Sequence, residues 1–160
     1  MKLYIKQKVF SIGDRYNVID GDGNAIFSVQ GEVFTWGSKL HVFDALGSEV
    51  FFIARKLLRF MPEYVIYSGG VHCATIRKRF TLFSHSISIE SQYGMFEISG
   101  DIWGMCFDIV CNGSLLGRID KKWLSWGDSY CLTVQDDSNA AFFVAIVIAI
   151  DLSLIHISEP

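Results

Sequence analysis

The sequence predicts a mainly β protein: a closed barrel of about twelve strands around a hydrophobic C-terminal helix. Three observations lead there. Ala140 to Ile150 (AAFFVAIVIAI) is apolar at every position. Before it, short segments of alternating apolar and polar residues recur along the chain. The connections between them are short and rich in glycine and asparagine.

The strands are read in order. Leu3–Ile5, Tyr16–Ile19, Ala25–Val29, Leu40–Phe43, Glu49–Ile53 and Tyr64–Tyr67 form the first half. Val71–Ile76, Ser86–Glu90, Met95–Ser99, Phe107–Val110, Leu115–Ile119 and Tyr130–Val134 form the second. Gly21–Asn24, Ala45–Ser48, Ser68–Gly70 and Asn112–Gly113 are hairpin turns, because Gly and Asn tolerate the positive φ such turns require. Strands at this spacing fit a barrel or a sandwich, and the apolar run chooses between them. A helix apolar on every face must be buried on every face. Spanning a bilayer takes roughly 20 apolar residues, and this run stops at Asp151. Twelve strands leave room for a helix of about 10–12 Å diameter inside a barrel. Ser138 or Asn139 can cap that helix, and Asp136 and Asp137 suit its positive N-terminal end.

One domain over residues 1–151 follows, with the helix at about 139–151. Half of the 160 residues are apolar (51%) and 19% are charged, which fills a core and excludes disorder as the main state. A net charge of −3 speaks against a surface that attracts nucleic acid overall. The N-terminal MKLYIKQKVF has no long apolar stretch, so no signal peptide is expected and the chain reads as cytoplasmic. Cys73, Cys106, Cys111 and Cys131 form no C-x-x-C pair and are expected to be reduced and packed as small apolar residues.

The chain also echoes itself. Lys8-Val-Phe-Ser-Ile-Gly-Asp-Arg-Tyr16 matches Lys122-Trp-Leu-Ser-Trp-Gly-Asp-Ser-Tyr130 at Lys, Ser, Gly, Asp and Tyr. Phe34 to Lys39 is a weaker copy. Each reads as a strand end, a glycine turn and a new strand, so the repeat marks a barrel corner.

Lys8–Asp14, Gly37–Asp44, Lys121–Asp128 and the closing Ala145–Asp151 resemble the LURP-one-related family, and the resemblance covers about residues 1–151. The resemblance implies a Tubby C-terminal-like fold, twelve strands around a C-terminal helix. Relatives of that fold include the Tubby phosphoinositide-binding domain and the phospholipid scramblases. Residues 152–160 depart from the family pattern, resemble translated adapter sequence and are expected to lie outside the fold.

Motifs for chemistry are sparse. Asp20-Gly-Asp-Gly-Asn24 resembles the opening of a calcium loop, but Ala25 and Gly31 stand where such a loop needs Gly and Glu, so it reads as a turn. His41, His72 and His85 have no metal-ligand spacing, and neither a metal nor a cofactor is expected. No nucleophile elbow, phosphate loop or dinucleotide fingerprint occurs, and no enzymatic activity is expected. Trp36, Trp103, Trp123 and Trp126 read as core or rim packing and not as a nucleic-acid platform.

Basic clusters carry the functional signal: Arg55-Lys56 with Arg59, Arg77-Lys78-Arg79, and Lys121-Lys122. On a strand Arg77 and Arg79 share one face, where two guanidinium groups can clamp a phosphate. The plain reading is a charged strand edge that resists aggregation. The functional expectation is a non-enzymatic barrel that binds anionic phospholipid headgroups through Arg77, Arg79, Arg55 and Lys56, peripheral to a membrane. The alternatives are a scramblase-like protein whose helix enters lipid, and a scaffold for a protein partner.

Overall fold

The computed structural model describes residues 1–8, 15–32, 39–58, 61–80, 85–124 and 127–155. Each alternating segment becomes a strand. The first six are β1 (Lys2–Gln7), β2 (Arg15–Ile19), β3 (Ala25–Gly31), β4 (Lys39–Asp44), β5 (Glu49–Leu58) and β6 (Met61–Ser68). The second six are β7 (Val71–Phe80), β8 (His85–Ser91), β9 (Gly94–Asp101), β10 (Cys106–Cys111), β11 (Ser114–Leu124) and β12 (Gly127–Val134). Every strand pairs antiparallel with its successor, and β1 closes the barrel on β12 with Ile5 opposite Tyr130. Closure leaves no free edge.

Alternation decides which side chains face inward. Leu3, Ile5, Leu40, Val42, Ile53, Ile66, Ile76 and Ile89 are fully buried on the inner face. They pack on helix α1 (Ala140–Ile155), which a 3₁₀ turn at Asp137–Asn139 introduces. Val144 to Ile150 are all completely buried, so the helix is the core of the barrel. Each large side chain so buried contributes about 1.5–3 kcal/mol.

Two features at the ends of the helix go beyond the sequence expectation. The 3₁₀ turn that leads into it has its own cap, Asp136, whose carboxylate accepts from the Ser138 amide at 3.0 Å and the Ser138 hydroxyl at 2.6 Å. α1 begins at Ala140, directly after Asn139. The helix also runs on to Ile155 instead of ending near Asp151. Leu152 and Ser153 are buried, and the Ser153 hydroxyl donates to the Ile150 carbonyl at 2.6 Å. With this extension, Asp137–Leu154 is long and apolar enough to cross a membrane by length and composition. Burial inside the barrel, not shortness, is what marks it as a core helix.

The turns follow their chemistry. The Asp20 carboxylate accepts from the Asp22 and Asn24 amides at 2.9 Å, and Gly23 takes φ +88°. The acidic segment is therefore a hairpin that uses its aspartate on its own backbone. Gly13, Trp36, Arg59, Trp126 and residues 156–160 lie outside the described residues. Gly127 opens β12 opposite Leu124, next to the β11–β12 connection rather than in it.

An up-and-down barrel has two ends. The β2–β3, β4–β5, β6–β7, β8–β9 and β10–β11 hairpins surround the point where α1 enters. The other connections surround the point where it leaves.

Candidate functional site

Strand direction sorts the charges between these two ends. Lys6, Arg15, Lys39, Arg55, Lys56, Arg77, Lys78, Arg79, Lys121 and Lys122 all lie in the half of their strands near the helix exit, and Lys8 follows β1 at the same end. Among the described residues, the basic positions elsewhere are Lys2, at the entry end, and Arg118. Arg118 is held across the strands by Asp108 at 2.7 and 3.1 Å. The entry end carries Asp20, Asp22, Asp44, Glu49, Asp136 and Asp137, whereas Glu32, Glu63, Asp101, Asp108, Asp120 and Asp128 lie in the exit half, where basic residues outnumber them. A chain with a small net charge thus folds into a barrel with an excess of basic residues at one end and of acidic residues at the other.

The four expected site residues meet different fates. Arg77 points outward and is engaged: its Nε donates to Glu63 at 2.7 Å and its Nη1 to Glu90 at 2.9 Å. Glu63 first and Glu90 second raise its pKa further. Its forks are directed at protein carboxylates, so a phosphate there would compete with them. Arg79 follows on the same strand, opposite Ser86. Arg55 has the same parity as buried Ile53 and faces inward, and its Nε is buried with no hydrogen-bond partner among the described residues. Lys56 faces outward and is exposed, with its ammonium 5.9 Å from the Tyr67 ring centroid. The structure therefore places Arg55 and Lys56 on opposite faces of β5.

Lys78 also faces inward at this end. It donates to the Ser153 carbonyl and lies 5.8 Å from the Trp103 ring centroid. Desolvation lowers its pKa to about 8. A cation suits the last turn of a helix, where unpaired carbonyls carry partial negative charge. Part of the basic character of the exit end thus answers the helix terminus.

Sequence reading missed the buried polar centre beside it. Asp151 is 5% exposed, and its two oxygens accept from Tyr16 at 2.8 Å and Tyr130 at 2.6 Å. Those tyrosines are the final matched residues of the internal echo. The repeat was the available signal: equivalent corners place equivalent tyrosines, two strands apart, on one helix residue.

A second concave surface lies outside the barrel. A groove of about 590 Å³ crosses β4–β6 and is lined by Glu32, His41, Glu49, Phe52, Tyr67 and Gly69, among others. The rings of His41 and Phe52 are 4.9 Å apart, and those of Phe52 and Tyr67 are 6.2 Å apart. His41 contacts Glu49 through Nδ1 at 2.6 Å and Glu32 through Nε2 at 2.9 Å. Burial opposes its charge, but these two carboxylates outweigh burial and raise its pKa. In the imidazolium form both ring nitrogens donate to these carboxylates, which favours that form.

Other candidates resolve simply. Among the described residues, no group of three His, Cys, Asp or Glu is placed to hold a metal ion. His72 contacts Thr75 at 2.7 Å. Cys73 and Cys131 are buried, whereas Cys106 is exposed, its thiol 3.5 Å from Asp120, so it is not packed as expected. Trp103 is half-exposed at the exit rim.

Comparison with known proteins agrees with this architecture. The family model described as LURP-one-related matches residues 1–151. The chain is 32% identical over 154 residues to the Bacillus subtilis (strain 168) protein YxjI, described as uncharacterized, covering 96% of this chain and 94% of YxjI. It also superimposes on the X-ray structure of an Arabidopsis thaliana protein with a TM-score of 0.64. That match has 14% identity and covers 94% of this chain and 91% of the plant chain. At that identity the plant structure speaks for the fold alone.

Proposed function

The chain belongs to the LURP-one-related family, and we propose that it is a non-enzymatic binding barrel that docks its helix-exit end on anionic phospholipid. The observation that carries this reading is the segregation of charge. Lys6, Lys39 and Lys56 are exposed at the exit end, while acidic turns occupy the entry end. A basic face attracts an anionic surface even when net charge is slightly negative, because the field decays within about 8–10 Å at physiological ionic strength. Each Lys or Arg near such a surface contributes about 1 kcal/mol. Arg55 supports the same reading from inside the mouth, since a buried unpaired donor gains from an anionic acceptor. Arg77, already held by two carboxylates, contributes less than Lys56.

A scramblase-like role would require α1 to leave the barrel. Val144 to Ile150 fill the barrel interior, so withdrawal would leave twelve strands around a void. Membrane contact through the outer basic face leaves the core intact.

The test is co-sedimentation with vesicles of neutral lipid alone or mixed with anionic lipid, at low and high salt. Binding to anionic vesicles at low salt that fades at high salt supports the proposal. Equal binding to neutral vesicles, or none to anionic vesicles at low salt, overturns it.

A further inference from the structure

The outer groove is a second candidate site, and its chemistry is the opposite of the basic end. We propose that it binds an alkylated ammonium group, the quaternary nitrogen of a choline-like head. Its floor is aromatic: the rings of Phe52 and Tyr67 lie in series with His41. Its acidic wall is Glu32 and Glu49, each of which gives one oxygen to His41. With His41 protonated, the trio keeps one net negative charge, which the Lys56 ammonium at the border offsets; with His41 neutral, the groove carries a net negative charge. Aromatic faces carry negative quadrupole charge, and a cation within about 6 Å of a ring centroid is attracted to it.

The protein itself displays this interaction. The Lys56 ammonium lies 5.9 Å from the Tyr67 centroid at the border of the groove. The neighbouring Phe52 ring has the His41 ring 4.9 Å away and, among the described residues, no lysine or arginine within reach. A cavity of about 590 Å³ accommodates a group of choline size with room for an attached chain. A neutral apolar ligand would use the rings and gain nothing from the carboxylates, whereas an anion would be repelled by them. A bulky organic cation uses both walls.

The titratable groups facing the groove are Glu32 from the end of β3, His41 on β4, Glu49 and Lys56 on β5, and Tyr67 on β6. Deprotonation of His41 removes the nearest positive charge, so binding of a cation should strengthen as pH rises through the His41 transition.

The experiment is a titration of the full chain with choline and with its uncharged isostere 3,3-dimethylbutan-1-ol, read from Tyr and Phe ring-proton shifts. A second arm uses phosphatidylcholine vesicles with free choline as competitor, which separates a free ligand from a lipid head. The expected result is saturable choline binding, about fivefold weaker for the isostere and for Tyr67→Leu. Saturable vesicle binding displaced by choline would place the same chemistry on a lipid. No saturable response to choline or vesicles, or equal affinity for the isostere, overturns the proposal. The isostere comparison uses the unaltered protein, so it stands whether or not Tyr67→Leu folds. Failure here leaves the reading of the basic end untouched, since that site prefers the opposite charge.

Discussion

Asp151, buried in the central helix, is held by Tyr16 and Tyr130, which come from strands on either side of β1. A carboxylate in a barrel interior is costly unless hydrogen-bonded, and these two hydroxyls are why the helix passes through Asp151 instead of ending there. Tyr16→Phe and Tyr130→Phe should each destabilise by about 1–3 kcal/mol, since a hydrogen bond to a charged or buried acceptor is lost. Urea denaturation of the single and double variants measures this. The double variant should depart from additivity, because both hydroxyls serve one carboxylate.

Truncation after Asp151 removes Leu152 and Ser153, both almost fully buried, and half-buried Leu154. Loss of Leu152 alone removes about 1.5–3 kcal/mol of burial. Lys78 also loses its acceptor on Ser153. A truncated chain that melts at the wild-type temperature would contradict the packing of the last helical turn.

Gly100 takes φ +126°, and a Cβ there would stand 2.8 Å from the Cys106 carbonyl oxygen and 3.0 Å from the Phe107 Cα. Both obstacles are backbone atoms of the paired strand, so neither can rotate away. Gly100→Ala should cost at least about 1–3 kcal/mol, from the strained φ together with the collision. Thermal melting of the variant checks it.

His41 gives a pH dependence with a defined sign. Its pKa in the folded chain is raised above the ordinary value near 6.5. The folded state therefore binds the proton more tightly than the unfolded state. This stabilisation is fully present below about pH 6.5 and is lost as pH rises through the higher folded pKa. Melting temperature against pH for wild type and His41→Gln should diverge below that transition and converge above it. Parallel curves would mean that the Glu49 and Glu32 contacts do not favour the imidazolium.

The sequence made the strands legible because side chains with period two must face a core on one side, as Leu3 and Ile5 do around Tyr4. It made the central helix legible because Val144 to Ile150 have no polar face to offer solvent. Asp151 was misread as a boundary because a polar residue ends an apolar run in the absence of knowledge of its partners. Those partners come from β2 and β12, and only closure of the barrel brings them to one point. Arg77 was legible as a strand residue but not as an engaged one, since Glu63 stands opposite it only in the register that β6 and β7 adopt. The inward aim of Arg55 was legible in principle from its spacing to Ile53. The polarity of the barrel was not, because neighbouring basic clusters point to a shared end only once the strands are known to run up and down.

The central claim is that one end of this barrel meets an anionic surface, and matched charge reversals test it most directly. Lys56→Glu at the exit end and Lys2→Glu at the entry end change net charge equally. Binding of each to vesicles containing anionic lipid at low salt is compared with wild type. The account predicts that Lys56→Glu weakens binding about tenfold, from loss of one attraction and gain of one repulsion, while Lys2→Glu stays within about twofold. Equal losses in both variants would mean that only overall charge matters, and no loss in Lys56→Glu would contradict the assignment of the basic end.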